Sequence, residues 1–139
     1  LKHTPTDAQM KVYTTVVAAR DASLALAQQR WNTNTPAFGH ELDDAARNLI
    51  VSAGYQRGVK HRTGHSLSSG LLVHGTGMNL DNLETHDTRV MMPGTGFTIE
   101  PGIYLANERI GVRSEINVYV DPTKGPTVTS CIQRELVLV

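Results

Sequence analysis

The sequence predicts an α+β domain in which two helices pack on one face of a mostly antiparallel sheet. Three observations carry this. Residues 10–29 contain no Gly or Pro and are rich in Ala, Leu and Gln. Residues 41–53 repeat apolar side chains at helical spacing. From Phe97 on, apolar residues recur at every second position, over 97–99, 112–120, 127–132 and 135–139. Helices first and strands after is the order of an α+β domain.

Thr6-Asp7-Ala8-Gln9 reads as a capping box, a hydroxyl at the N-cap with Gln three residues on. Val12, Val16, Ala19, Ser23, Leu26 and Arg30 then step at helical spacing. That predicts one helix of about five turns. The stretch "WNTNTPAFG" reads as a loop, with Trp31 as its packing anchor. In the second helix Leu42, Ala45, Ala46, Leu49 and Ile50 share a face, and Gly54 closes it. Gly, His and Ser crowd residues 58–79, and residues 80–96 are polar and turn-rich. Neither 31–39 nor 75–93 resembles a linker, so residues 1–139 read as a single domain.

Composition narrows the function classes. Apolar residues make up 40% and charged residues 19%, which marks a globular chain rather than a disordered one. Lys+Arg and Asp+Glu number 13 each, so the basic footprint of a nucleic-acid binder is missing. A single cysteine, Cys131, excludes an intrachain disulfide and a Cys-based zinc site. In its strand pattern it reads as a buried small hydrophobe. No apolar run has the length of a membrane span and no signal-peptide pattern opens the chain, so no membrane partner and a cytoplasmic location are expected.

Three clusters can carry chemistry. "GFTIEPGIY" sets Glu100 between two strand-like runs, next to Pro101 and Gly102. If Phe97 and Ile99 face the core, Thr98 and Glu100 face away from it. Glu100 is then either on a solvated sheet face or paired with a partner. "HRTGHSLSSGLLVH" holds His61, His65 and His74. They are surface histidines or a group of metal-ligating or acid/base imidazoles. In "GVRSEINVYV", Arg113, Glu115 and Asn117 share one face at period two, as a surface ion pair or as part of a site. One imidazole and two carboxylates on one polar face would suit Mn, Co, Fe or Zn.

In this order, "GHSLSSGLLVH", "PGTGFTIEPGIY" and "GVRSEINVYV" resemble the second half of the pita-bread metallopeptidases, nearest their Xaa-Pro aminopeptidase and prolidase group. The resemblance spans nearly the whole chain. It implies a half of the pita-bread fold and hydrolysis of peptide bonds by two divalent ions, Mn, Co or Zn, on a peptide substrate. By position it makes His65, Glu100 and Glu115 metal ligands. His74 and His61 match histidines that meet the substrate, Arg113 the arginine that orients the site, and Arg89 a grip for a substrate carboxylate. Water activated by the ions would attack the carbonyl, Glu100 would move its proton and His74 would stabilise the oxyanion.

The sequence departs from that pattern in places. The family's two Asp ligands lie on a strand upstream of the first helix, whereas Asp7, Asp21, Asp43 and Asp44 here fall in helices or their caps. Three of five ligands imply a truncated catalytic domain, inactive alone, with weak or single-metal binding. His65 and His74 are nine apart instead of seven, which predicts a bulge near Ser68-Ser69-Gly70 and a changed aim for His74. Gly75 replaces an acid. A half-sheet would also expose apolar surface and self-associate, as a homodimer or in a lattice. Two other readings stay open: a metal-free pita-bread binding module, and a creatinase-type hydrolase. Met91 and Met92 read as core filler, and Glu84, His86 and Asp87 as a solvated loop or a pocket rim. His3, His40 and His86 carry no role.

Overall fold

The computed structural model describes residues 4–138; His3 and Val139 lie outside them. Helix α1 runs Asp7–Asn32 and α2 runs Gly39–Ser52. Five strands follow: β1 Gly96–Ile99, β2 Gly102–Leu105, β3 Ile110–Arg113, β4 Ile116–Asp121 and β5 Gly125–Val128. All pairings are antiparallel, β1-β4-β5 in one sheet and β2-β3 in another.

The capping box forms as expected. The Thr6 hydroxyl accepts from the Gln9 N–H at 3.2 Å, and Gln9 Oε1 accepts from the Thr6 N–H at 2.8 Å. Helix α2 begins two residues before the expected Glu41, because Glu41 Oε2 accepts the Phe38 N–H (3.1 Å) and so caps from the N3 position. Gly54, at φ +89°, follows its end. Trp31 belongs to the last turn of α1 rather than to a loop.

Both helices cover one side of the strands, in two adjoining clusters. Val12, Val16, Ala19, Ala46 and Ile50 meet Ile103 of β2. Ala27 and Leu42 meet Phe97, Ile99, Ile116, Val118 and Val120. Excluding this apolar surface from water holds the layers together.

Three expected strands differ. The run 112–120 breaks at Ser114-Glu115. There the buried Arg20 of α1 donates through Nη1 to Ser114 Oγ at 2.8 Å and to the Gln133 carbonyl at 3.0 Å. Strand 127–132 ends at Val128, which leaves Cys131 exposed instead of buried. The alternation at 135–138 yields no strand: Leu136, Val137 and Leu138 line a groove with Pro5, Gln9 and Tyr13. Of the two methionines, Met91 is core and Met92 is exposed.

Candidate metal and peptide site

The histidine segment reaches the site by joining the free edge of β1. Leu67 N donates to the Gly96 carbonyl (2.8 Å), Thr98 N to that of His65 (2.9 Å) and Glu100 N to that of Thr63 (2.6 Å). Gly64 makes the approach feasible, since a Cβ there would lie 2.0 Å from the Thr98 carbonyl oxygen. His65 is thereby laid beside Thr98 and Glu100. His65 Nδ1 lies 2.9 Å from the Ser66 carbonyl, which can only accept, so Nδ1 carries the proton. Nε2 is then turned to Glu100 Oε1, 3.3 Å away. Two acceptors at that separation call for a positive centre between them, a proton or a metal ion.

Glu100 and Pro101 lie in the gap between β1 and β2, and Ser114 and Glu115 in the gap between β3 and β4. Ile99 pairs with Ile116 and Gly102 with Arg113. The register is the same on both sides of the gap, so Glu100 stands opposite Glu115. Like charges so placed repel. One cation near them is Arg113, whose Nη1 lies 3.4 Å from Glu100 Oε2.

A cavity of about 410 Å³ opens here. It gathers His61, His65, His74, Glu100, Arg113 and Glu115. It also takes in Glu84, one of the residues expected on a loop or rim, and Arg62, which sequence reasoning missed although it adjoins His61. His61 donates from Nδ1 to the Arg62 carbonyl (2.7 Å), so Nε2 accepts from the Tyr104 hydroxyl (2.9 Å). Tyr104 is two residues beyond Gly102, a strand alternation that would have placed both on one face.

Between His65 and His74 the chain folds back on itself, and both rings line the cavity. Leu67 and His74 form an antiparallel bridge, Gly75 N donates to the Ser66 carbonyl (2.8 Å) and Ser68 N to that of Val73 (3.0 Å). The extra residues are extruded as a hairpin tip, with Leu71 and Leu72 exposed, and the His74 ring centroid lies 3.9 Å from that of His65. Gly75 suits this turn: a Cβ would lie 2.5 Å from the Leu67 carbonyl oxygen.

Arg89 does not line the cavity. Its guanidinium is bound by Asp87, and its Nη1 donates to the Thr76 carbonyl at 2.9 Å. Asp87 in turn accepts from Asn79 N (2.9 Å), and Asn79 Oδ1 accepts from Ser66 N (3.0 Å), which steadies the residue after His65. Asp43 of α2 accepts from Thr63 N and Asn82 N, both at 2.9 Å. Burial pushes the Asp43 carboxyl above the usual carboxylate range, against those bonds and the charge of Arg47. Asp81 ends lower than usual: burial opposes its charge, but hydrogen bonds from Glu84, Leu83 and Thr85 outweigh that.

The donors fit part of a metal site. His65 presents a free Nε2, fixed by its other nitrogen, and Glu100 and Glu115 present oxygens, a hard set suited to divalent ions. Among the described residues no three His, Cys, Asp or Glu are grouped closely enough to hold an ion. Nor is any described helix long and apolar enough to cross a membrane.

Two helices thus back an antiparallel sheet, and His65, Glu100 and Glu115 gather at one cavity beside it. The chain belongs to metallopeptidase family M24, whose pattern matches residues 2–122. It is 30% identical over 133 residues to the Xaa-Pro dipeptidase of Pyrococcus horikoshii, covering 96% of this chain and 34% of that protein. It is 36% identical over 99 residues to the probable dipeptidase PepE of Mycobacterium tuberculosis, covering 71% of this chain and 24% of that protein. Among solved structures, the prolidase of Thermococcus sibiricus superposes with a TM-score of 0.78 at 30% identity, covering 96% of this chain and 32% of that one. The fold is therefore that of part of the pita-bread prolidases, and this chain spans about a quarter to a third of the length of these relatives.

Proposed function

We propose that this chain supplies part of the active site of a metal-dependent peptidase that cleaves Xaa-Pro peptides, with residues outside it completing the metal ligands. The observation that carries the reading is His65 Nε2 turned to Glu100 Oε1 at 3.3 Å, with Glu115 across the same gap. His65, Glu100 and Glu115 are the ligands. Divalent ions bound there would polarise the substrate carbonyl and make water a nucleophile at neutral pH. Glu100 takes the proton of the attacking water and passes it to the leaving amine. His74, its ring tilted against that of His65, donates to the carbonyl oxygen as negative charge builds on it. Arg113 holds Glu100 in orientation. His61, kept in one tautomer by Arg62 and Tyr104, lines the substrate side. The relatives named as Xaa-Pro dipeptidase and prolidase support the substrate class.

The test is hydrolysis of Xaa-Pro dipeptides by the full-length protein with added Mn²⁺ or Co²⁺, with and without chelator. Glu100→Gln is expected to lower kcat/KM by about 100-fold or more. Turnover indifferent to chelator and to Glu100→Gln would overturn the reading. Peptide binding without turnover would favour a binding module instead.

A further inference from the structure

We infer that Thr98 is a positioning residue that fixes how His65 and Glu100 meet, an inference that rests on the ligand reading above. Thr98 is 1% exposed, on the face of β1 away from the helices. Its hydroxyl has one hydrogen to give. It donates to Glu100 Oε1 at 3.0 Å and accepts from the His65 N–H at 2.9 Å. The other acceptor in reach, the His65 carbonyl, is 3.5 Å away and already receives the Thr98 N–H at 2.9 Å. A charged carboxylate is also the stronger acceptor.

This single oxygen therefore joins the backbone of one ligand to the side chain of the other. Thr98 holds Glu100 Oε1 by a hydrogen bond, while the half-exposed Arg113 lies 3.4 Å from Oε2 as a looser ion pair, so the buried hydroxyl is the firmer hold on the carboxylate. The β-branched side chain, held in a strand, has little rotamer freedom, so the hydroxyl is aimed before any ligand arrives. Water cannot readily replace it, because Thr98 is buried against the Gly64 backbone. A Val side chain has nearly the same shape and neither bond. It would leave the buried His65 N–H without an acceptor and Glu100 Oε1 without its donor. Ser keeps both bonds.

The experiment measures metal affinity in the full-length protein, by Mn²⁺ titration calorimetry and by the visible bands of bound Co²⁺, which report coordination geometry. Thr98→Val should weaken Mn²⁺ binding about 10–100-fold and alter the Co²⁺ bands, while Thr98→Ser stays within about threefold of wild type. Thr98→Val matching wild type in both readouts, while Glu100→Gln loses metal, overturns the positioning role alone. Wild type without metal, or Glu100→Gln binding it as tightly as wild type, overturns the ligand reading and this inference with it. If far-UV circular dichroism shows Thr98→Val unfolded, Thr98→Ala takes its place. If neither folds, metal-loaded wild-type crystals decide. A Thr98 Oγ1–Glu100 Oε1 separation within hydrogen-bond range supports the role, and a longer one overturns it.

Discussion

Glu100 stands opposite Glu115 across the break in the hairpin that runs from β1 through β4. Two carboxylates in register on adjacent strands repel each other unless a cation lies between them. Regular strand structure stops at this point, and both acids line one cavity.

A sign reversal follows for Glu115→Gln in the full-length protein. With chelator the substitution relieves repulsion and raises stability by about 0.5 kcal/mol. With saturating Mn²⁺ it removes a ligand and lowers the apparent stability, since an ion that binds only the folded state stabilises it by mass action. Thermal melts in the two buffers check this. A shift of the same sign in both would argue against a shared cation.

The hairpin tip between Leu67 and His74 should tolerate shortening. Deleting Ser69 and Gly70 restores the shorter histidine spacing and leaves the Leu67–His74 bridge intact. Stability should change by about 0.5 kcal/mol or less, and kcat/KM for Xaa-Pro substrates by less than about tenfold. Gly75→Ala, which drives a Cβ against the Leu67 carbonyl, should cost about 2 kcal/mol or more, read by urea unfolding.

Acid should unfold the protein partly through Asp81. Its folded-state carboxyl lies below the ordinary value of 3.8. Folding therefore gains from its charge above that pH, and the gain is lost as pH falls from about 4 through the lower folded value. Asp81→Asn removes that pH dependence. It should be about 1–3 kcal/mol less stable than wild type at pH 7, with a shallower acid limb. Asp43 acts in the opposite sense: burial raises its pKa, so its ionisation costs stability as pH rises past the ordinary value. Urea unfolding between pH 2 and 7 measures both limbs.

Much of this was legible in the sequence, and the parts that were not share a cause. The capping box and the long Gly-free run announced α1, because those signals are local. His65, Glu100 and Arg113 stood out as candidates because glycine, proline and alternation mark their local backbone, but a surface reading stayed open for each and their roles came from the family resemblance alone. The opposition of Glu100 and Glu115 was not readable, since it depends on the register set by the turn at 106–109, where Arg109 takes a positive φ. Nor could alternation show that Leu136, Val137 and Leu138 form no strand, although they line a groove with Ile110 and Val112 of β3. The partners of Arg20, Ser114 and the Gln133 carbonyl, lie more than ninety positions away, beyond the reach of any local pattern. Alternation set Thr98 on the same face as Glu100, but its bond from the His65 N–H joins residues 33 positions apart and leaves no local trace.

The most direct test of the central claim is a crystal of the full-length protein grown with Mn²⁺ and examined by anomalous scattering. A peak is expected within ligand distance of His65 Nε2 and of carboxylate oxygens of both Glu100 and Glu115. A peak elsewhere, or none at saturating Mn²⁺, would contradict it.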